Sequence, residues 1–358
     1  MRALIIGAGL AGATSARILA EQGYQVTVYE SESEVGGMCR DKHDGDRYYQ
    51  MFGPHIWHTS DDRIQDFVTR FSRFIPFRHK VRSIVGTKDG VKYAHFPITL
   101  KSIQDLGIEY KPSDNVLDKN LNFQEFLTQK IGLELYESFI HHYTKRQWGI
   151  EPKELSSSLA DRITVKLDRS DTEFFDHERY VGTFEGGFTA LIQRMLRHPN
   201  IVTVFEKVEL YDISRLCRGD NYDKVVITSR LDEFIGSNTL KFRYVKFTEV
   251  KDNVMLELYK SKFKEVPFDI LVLNNCSSRM ITSRITDYSR FLQGTEVSIG
   301  TEEPNGRGEG VPCYPITVIP SEYVKYNEEN ESLKGIINDS LKGTEVHYVG
   351  RLASYRVS

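Results

Sequence analysis

Apolar runs flank a glycine-rich break in the first thirty residues. An apolar run at 3–6 is followed by closely spaced glycines, an amphipathic stretch at 11–22 and a second apolar run at 25–30. Short apolar runs bounded by turn residues indicate buried strands, and the stretch between them has helical periodicity. The pattern therefore predicts a strand, a tight turn, a helix and a second strand.

Three glycines and one acid stand where a dinucleotide site needs them. Gly7 permits the tight turn, Gly9 lets the backbone approach a pyrophosphate, and Gly12 lets the helix pack closely. The amides at the helix N-terminus would face the phosphates, and Glu30 would accept from the ribose hydroxyls. A glycine triplet alone is a weak signal, but strand, glycines, helix, strand and acid in this order predict an adenine dinucleotide site.

A second glycine pair, Gly36-Gly37, follows the acid directly. Glycines let the chain pass close to a ligand, and a pair at this place is more typical of flavoproteins than of nicotinamide-dependent dehydrogenases. We therefore expect FAD as the cofactor.

Two further patterns precede residue 100. Apolar residues at helical spacing predict an amphipathic helix over 61–74, capped by Thr59 or Ser60. Apolar runs at 81–85 and 91–96, on either side of a glycine-containing turn, predict a β-hairpin.

Helical patterns then alternate with strand-like ones. Residues 99–167 have helical spacing and few strand signals, which predicts a separate helical domain. Another helix is expected from Gly186-Gly187 to about Arg197, a polar helix over 321–341, and a strand returning to the first domain at 347–350. Apolar segments that alternate with polar turns predict an antiparallel sheet, with strands at 201–205, 224–228, 242–247 and 268–273.

The predicted fold class is α/β: an FAD-binding, doubly wound Rossmann-like domain, an inserted helical domain and an antiparallel β-sheet domain. A chain of 358 residues exceeds the usual size of one hydrophobic core, in keeping with several domains. The expected boundaries are 1–75 with 186–230 and 312–358 for the FAD-binding domain, 99–175 for the helical, substrate-binding domain, and 76–98 with 231–311 for the sheet domain.

Composition and charge argue against several classes of partner and site. The net charge of −3, from 47 basic and 50 acidic residues spread along the chain, offers no polybasic patch, so nucleic acid is not an expected partner. No apolar stretch approaches the ~20 residues of a membrane span and no signal-peptide pattern opens the sequence, so a cytoplasmic protein is expected. The wide spacing of the cysteines speaks against a zinc site or a disulfide framework; they are Cys39, Cys217, Cys276 and Cys313.

The segment Gly53-Pro54-His55-Ile56-Trp57-His58-Thr59 places two histidines three residues apart, close to the glycine pair. No carboxylate or third histidine stands at ligand spacing, so no metal site is expected. From the residues alone, a hydrogen-bonded turn and a contact with the cofactor both stay open.

This segment resembles the flavin-proximal signature of the prokaryotic UDP-galactopyranose mutases, and further motifs of that family follow in the same order over essentially the whole chain. Each motif is weak alone, but their shared order makes chance a poor explanation. The later motifs are Phe96-Pro97-Ile98-Thr99-Leu100, Tyr143-Thr144-Lys145-Arg146-Gln147-Trp148-Gly149, Gly186-Gly187-Phe188-Thr189, Arg284-Ile285-Thr286-Asp287, Tyr314-Pro315-Ile316 and Gly350-Arg351-Leu352-Ala353-Ser354-Tyr355-Arg356.

The resemblance implies interconversion of UDP-galactopyranose and UDP-galactofuranose, or of a close UDP-hexose, without net redox change. N5 of reduced FAD would be the covalent nucleophile, and NAD(P)H or another donor would keep the flavin reduced. The implied partner is a UDP-sugar, and a homodimer is possible. A nucleophilic cofactor also explains why no Ser-His-Asp set or close carboxylate pair can be identified.

The resemblance also implies the site residues. Charge that develops on a diphosphate calls for arginines, and the residues expected in catalysis are Arg284, His58 and Arg351. Arg351 could equally contact FAD, and Trp148 could be a core aromatic. The expected substrate-binding residues are Tyr143, Trp148, Lys166, Phe175, Asn274 and Tyr314. The expected cofactor-binding residues are Gly7, Gly9, Gly12, Glu30, Gly36, Gly37, His55, His58 and Arg351.

Three departures from the family pattern bear on activity. Lys166 stands where the family usually has a second phosphate-binding arginine, so the planar fork is lost. Phe174 or Phe175 stands about where a phosphate-binding tyrosine is expected, which removes a hydroxyl donor. Family members continue past the position of Val357 into a final helix whose N-terminal dipole would face the pyrimidine end of the flavin. The shorter C-terminus is therefore expected either to weaken FAD binding or to raise the free-energy cost of the reduced, anionic flavin.

Two rival interpretations follow. A binding or regulatory protein would keep FAD and UDP-sugar sites without turnover, which the shorter C-terminus favours. A flavin amine oxidase or desaturase shares the N-terminal fingerprint but lacks support from the later motifs.

Overall fold

The computed structural model describes residues 1–87, 90–110, 118, 120–163, 165–167, 173–220, 222–253, 256–257, 261, 270–292, 296–305, 310–315 and 320–355. Residues 88–89 of the predicted turn, 268–269 of the predicted strand and Val357 lie outside these ranges. The strands are β1 (Arg2–Ile6), β2 (Gln25–Glu30), β3 (Asp41–Asp44), β4 (Arg47–Gln50), β5 (Trp57–Thr59), β6 (Phe74–Pro76), β7 (Lys80–Thr87), β8 (Gly90–Phe96), β9 (Ile98–Thr99), β10 (Val165–Lys166), β11 (Tyr180–Phe184), β12 (Ile201–Phe205), β13 (Lys224–Ile227), β14 (Phe242–Glu249), β15 (Ile270–Asn275), β16 (Arg284–Asp287), β17 (Ile299–Asn305), β18 (Val311–Pro315) and β19 (Glu345–Tyr348). The α-helices are α1 (Leu10–Glu21), α2 (Asp62–Thr69), α3 (Leu100–Leu106), α4 (Phe123–Ile131), α5 (Leu133–Tyr136), α6 (His142–Trp148), α7 (Gly187–Leu196), α8 (Leu210–Asp220), α9 (Leu231–Ile235), α10 (Pro320–Ser340) and α11 (Arg351–Ser354).

A five-stranded parallel sheet carries the predicted dinucleotide fingerprint. Its strand order is β12-β2-β1-β13-β19, and every neighbouring pair is parallel. The β1–α1–β2 unit confirms the predicted strand, helix and strand, and β19 confirms the returning strand within two residues. In such sheets ligands bind beyond the carboxyl ends of the strands, so the glycine turn after β1 lies at the functional edge.

Two predicted strands have a different pairing from the one expected. The segments at 201–205 and 224–228 are strands β12 and β13, but they run parallel to β2 and β1. Alternation with polar turns does not reveal the direction of pairing, because the strands that pair are distant in sequence. The prediction of antiparallel pairing for these two segments was therefore wrong.

Side chains of β1 alternate between two hydrophobic cores, as the pleat of a strand requires. Ala3 and Ile5 pack with α1 and α7 on one face, and Leu4 and Ile6 pack with α8, α9 and α10 on the other. The sheet is thus covered on both faces. Within the part of the chain that the structure describes, no helix is long and apolar enough to cross a membrane.

Helix α2 is shorter than predicted, and its cap is different. The carboxylate of Asp61 accepts from the amide of Arg63 at 2.8 Å, so Asp61, rather than Thr59 or Ser60, is the N-cap. The helix ends at Thr69, and Phe74 begins strand β6, which pairs with β11. The apolar stripe over 61–74 therefore continues from the helix into a strand.

The predicted helical segment packs around a separate core. Helices α3 to α6 and two 3₁₀ turns surround fully buried side chains such as Phe123, Leu127 and Tyr136. A π-helical turn at Glu137–His141 joins α5 to α6. The segment is not entirely helical, because β10 at its end pairs with β9.

The remaining large sheet is mixed. Its order is β18-β14-β17-β16-β15-β7-β8, and the pairing of β7 with β8 confirms the predicted hairpin. β15 runs parallel to β7, so the sheet is not wholly antiparallel as expected. The α/β fold class is confirmed, and the division into three domains stays a prediction.

Candidate active site

The turn between β1 and α1 leaves no room for side chains. Gly7 has a φ of +99°, and a Cβ added there would lie 2.5 Å from Oγ1 of Thr228. A Cβ added at Gly12 would overlap the carbonyl oxygen of Gly7. Both positions therefore require glycine. Gly7 lies in the turn, and Gly12 lies in the first turn of α1, which begins at Leu10.

The second glycine pair lies against the first turn. Gly36 forms a parallel bridge with Gly9, and its amide donates to the carbonyl of Ala8 at 3.0 Å. A Cβ on Gly37 would lie 3.1 Å from Cα of Gly9. The two segments form a cradle of bare backbone, which is the surface that a pyrophosphate can approach.

Glu30 is held in place by backbone amides. Its Oε2 accepts from the amide of Ala8 at 2.7 Å, and its Oε1 accepts from the amide of Glu32 at 3.0 Å. A carboxylate has about four acceptor positions, so these bonds leave capacity for ribose hydroxyls.

Two buried polar atoms near this edge need a further partner. Nε of Arg40 and Oγ of Ser229 have no hydrogen-bond partner within the described residues. Ser229 follows β13 and lies beside Gly7, and Arg40 lies against Gly36. Buried polar atoms are nearly always paired, so a polar ligand fits this edge. Together with the glycine cradle, these atoms suit a dinucleotide cofactor.

His55 and Arg351 extend the edge beyond the glycines. Arg351 starts α11, separated from the end of β19 by two residues, and the charges of Arg351 and Arg284 both lower the pKa of His55. Burial lowers the pKa of His55 to about 4, mainly by desolvation, and Nδ1 lies 2.9 Å from the carbonyl oxygen of Gly53. His55 is therefore neutral at pH 7, and its neighbours Pro54 and Ile56 line the cavity described next.

A cavity of 330 Å³ opens beside this loop. Five predicted substrate or catalytic residues line it: Tyr143, Trp148, Phe175, Asn274 and Arg284. Its other lining residues are mostly apolar: Pro54, Ile56, His79, Val81, Phe96, Phe123, Phe139, Ile140, Thr144, Gln147, Leu159, Ile163, Phe174, Val272 and Cys276. A largely apolar cavity with a few convergent polar groups is typical of a small-molecule site.

Arg284 occupies the centre of the mixed sheet. On β16 it lies opposite Asn274 of β15 and Glu302 of β17. Its Nη2 donates to the Tyr143 hydroxyl at 3.0 Å, and its Nη1 donates to Oε1 of Glu302 at 3.3 Å. Burial raises the pKa of Glu302, and Arg284 opposes that shift. Arg284 is thus a permanent cation, held in place by two partners at the wall of the cavity.

The sequence left open whether Trp148 is a core aromatic or a residue of the binding site. It is 8% exposed and packs in the core of the helical segment, yet it also lines the cavity. Arg243 of β14 donates to the carbonyls of Gln147 and Arg146, at 2.8 and 2.9 Å, and so fixes the end of α6. Trp148 is therefore both a core residue of the helical segment and a residue of the cavity wall.

Among the described side chains, those of His58 and Lys166 are not in the cavity wall. The exposed ring of His58 stacks on Phe175, with centroids 4.1 Å apart, and its Nδ1 is 3.4 Å from Oε1 of Glu178. Lys166 forms an ion pair with Asp176 and is not among the lining residues. Tyr314 lies in β18, and its side chain is outside what the structure describes.

Several lining residues escaped the sequence analysis. Phe139 precedes Tyr143 by four residues and Gln147 follows it by four, so one helical stripe could have identified this wall. His79 is a single histidine just before β7, and nothing in the local sequence marks it as functional.

A comparison with family models gives the family of the chain. The model described as "UDP-galactopyranose mutase" matches residues 138–357, and one described as "NAD(P)-binding Rossmann-like domain" matches residues 5–71. The chain belongs to the UDP-galactopyranose mutase family. The resemblance is therefore confirmed, and the protein is an enzyme, an isomerase of the mutase type. Its family and its dinucleotide-binding domain imply a flavin cofactor and a UDP-sugar substrate.

Curated relatives match over nearly the full length. A dTDP-fucopyranose mutase of Escherichia coli is 26% identical and covers 99% of this chain and 93% of its own. A probable UDP-galactopyranose mutase of Klebsiella pneumoniae is 29% identical and covers 99% and 89%. The family thus includes mutases named for different sugars and different nucleotides.

Structural similarity supports the fold. A crystal structure of reduced UDP-galactopyranose mutase superposes with a TM-score of 0.68 at 14% identity, covering 99% of this chain and 90% of that one.

An L-amino-acid oxidase of Crotalus adamanteus is 37% identical, but over 20% of this chain. An L-amino-acid oxidase of Pseudechis australis is 24% identical over 58% of this chain and 43% of its own.

Proposed function

We propose that the protein interconverts UDP-galactopyranose and UDP-galactofuranose, or a close nucleotide hexose, with reduced FAD and no net redox change. The observation that carries the proposal is the cavity in which Arg284, Asn274, Tyr143 and Trp148 meet, linked to the dinucleotide edge by the loop of His55. A permanent cation, polar side chains and an aromatic ring in one cavity support the proposal.

Residues of the parallel-sheet edge would hold FAD. The bare backbone of Gly7, Gly9 and Gly37 admits the pyrophosphate, Glu30 accepts from the ribose, and Arg351 supplies a cation near His55. When bound and reduced, by NAD(P)H or another donor, FAD would supply a nucleophilic N5 for the anomeric carbon of the sugar.

Residues of the cavity bind and stabilise the nucleotide. Negative charge on the diphosphate grows as the bond to the anomeric carbon breaks, and the guanidinium of Arg284 stabilises that charge. Tyr143 orients Arg284 through their 3.0 Å hydrogen bond. Asn274, opposite Arg284 on β15, offers an amide to the sugar or phosphate, and Trp148 stacks on the base.

A dTDP-linked 6-deoxyhexose is a second candidate substrate. The cavity wall at Phe96, Phe174 and Phe175 is aromatic and offers no hydroxyl or amide, which suits a methyl group better than a hydroxymethyl group. The full-length similarity to a dTDP-fucopyranose mutase supports the same choice.

Turnover under reducing conditions tests the proposal. The purified flavoprotein is incubated with UDP-galactofuranose or dTDP-fucopyranose, with and without dithionite, and the products are separated by anion-exchange chromatography. We expect pyranose–furanose conversion of one of them in the reduced sample alone. Bound flavin with no conversion of either compound supports a binding protein, and peroxide released from an amine substrate supports an oxidase.

A further inference from the structure

A second cavity lies between the helical segment and the mixed sheet, beside the hairpin of β7 and β8. Its volume is 600 Å³, larger than that of the substrate cavity. Among the described residues that line the two cavities, only Cys276 belongs to both. The second cavity is therefore a separate space, although it adjoins the substrate cavity at one residue.

One face of the helical segment forms a wall of the second cavity and bears two carboxylates. Glu134, Glu137 and His142 line this wall, and the π-helical turn accounts for the five positions between the last two. Glu137 pairs with His141 at 3.2 Å, whereas Glu134 is exposed and forms no ion pair within the described residues. Desolvation lowers the pKa of His142, so its neutral imidazole leaves this wall negatively charged.

The wall on the sheet side bears two exposed cations. Lys92 lies in β8, and Arg279 lies in the loop between β15 and β16. Nζ of Lys92 donates to the carbonyl of Leu106 at 3.2 Å, but neither cation forms an ion pair with a described carboxylate. The cavity thus separates two cations on one wall from two carboxylates on the other.

These two walls suit a ligand that is anionic at one end and carries hydroxyl groups at the other. Lysine and arginine side chains bind phosphate by charge-assisted hydrogen bonds, and carboxylates accept from hydroxyl groups. No phenylalanine, tyrosine or tryptophan is among the described lining residues, in contrast to the substrate cavity. The second cavity therefore lacks the aromatic platform on which a nucleotide base would stack.

We propose that the second cavity binds a sugar phosphate, with the phosphate at Lys92 and Arg279 and the sugar hydroxyls at Glu134 and Glu137. Its volume lies within the usual range for small-molecule sites. No covalent step is assigned to this site. The inference does not depend on the proposed function, because none of these four residues lines the substrate cavity.

Calorimetric titration of the flavoprotein tests the site with glucose 6-phosphate, glucose and inorganic phosphate, each with and without excess UDP. Lys92→Gln and Arg279→Gln remove the cations, and Glu134→Ala removes a carboxylate. Lys42→Gln, at an exposed position in β3 that lines neither cavity, is the matched control for loss of charge. Arg284→Ala changes the substrate cavity alone. Flavin content and urea unfolding confirm that each variant is folded.

We expect one glucose 6-phosphate bound per chain, with a Kd that neither UDP nor Arg284→Ala changes by more than about twofold. Loss of either cation should weaken binding about tenfold, as for loss of a charge-assisted hydrogen bond, and Lys42→Gln should match the wild type. Glu134→Ala should weaken the binding of glucose 6-phosphate but not that of inorganic phosphate.

Three results would overturn the inference. No saturable binding of glucose 6-phosphate would mean that these charges are only solvated. Competition by UDP, or an affinity unchanged in both cation variants, would place the ligand elsewhere. Equal affinities of the wild type for inorganic phosphate and glucose 6-phosphate would exclude recognition of the sugar.

Discussion

Replacing Arg284 with alanine removes two interactions of different kinds, and the structure allows them to be separated. Arg284 lines the cavity and also pairs with the buried carboxylate of Glu302 at 3.3 Å. Loss of a charge-assisted hydrogen bond to phosphate costs about 1.5–3 kcal/mol, which weakens UDP binding about 10- to 100-fold. Loss of the buried pair leaves an isolated carboxylate and costs about 3 kcal/mol of folding free energy, the lower end of the usual range because Glu302 can take up a proton.

The stability loss should depend on pH in a defined direction. Burial already raises the pKa of Glu302, and removal of the opposing Arg284 raises it further. Between the unfolded pKa of 4.5 and the raised folded pKa, the folded state binds more protons than the unfolded state, so stability falls as the pH rises. Arg284→Ala should therefore lose less stability near pH 5 than near pH 8.

Urea unfolding and UDP titration distinguish the two effects. The double variant Arg284→Ala with Glu302→Gln should recover most of the stability but none of the UDP affinity. Arg290→Ala breaks a comparable pair with buried Asp287, at 2.8 Å, and should lower stability without weakening UDP binding. The reasoning is refuted if Arg284→Ala binds UDP as the wild type does, or if Glu302→Gln restores UDP binding to the alanine variant.

Further predictions concern the dinucleotide edge and its support. Gly12→Val should abolish flavin retention, since its side chain would overlap the carbonyl oxygen of Gly7, and the flavin-to-protein absorbance ratio measures this. Gly335→Ala, a matched helical glycine in α10 with nothing within 4 Å of an added Cβ, should keep its flavin and gain about 0.5–1 kcal/mol in urea unfolding. Asp41→Ala should lower the unfolding free energy by about 1–2 kcal/mol, because the carboxylate accepts from the amide of Phe188 in the first turn of α7. A wild-type flavin ratio in the first variant, a loss of stability in the second or unchanged stability in the third would contradict these assignments.

Local patterns predicted the elements whose causes are local. The turn at Gly7 and the helix that follows depend on short-range steric needs, so the sequence predicted α1 and β2 within one residue. The N-terminal cap of α7 could not be predicted from local sequence. The carboxylate of Asp41 accepts from the amides of Phe188 and Thr189, which are 147 and 148 positions away. Likewise the direction of β12 and β13 depends on distant partners.

The same distinction applies to the site. Ordered motifs identified Arg284, Tyr143 and Trp148, which the fold brings to one cavity. His79 carries no local signal, since its place in the cavity wall depends on burial among aromatic rings contributed by another segment. Lys166 has a basic side chain at a motif position, but its ion pair with Asp176 was not readable from the sequence.

The central claim, that the flavin acts without net transfer of electrons, is tested most directly by following flavin absorbance during turnover. The protein is reduced with one equivalent of dithionite under anaerobic conditions, and excess UDP-galactofuranose is added. The account predicts many conversions per flavin while the absorbance near 450 nm stays bleached. Reoxidation of the flavin in step with product, or conversion that stops after one equivalent, would contradict it.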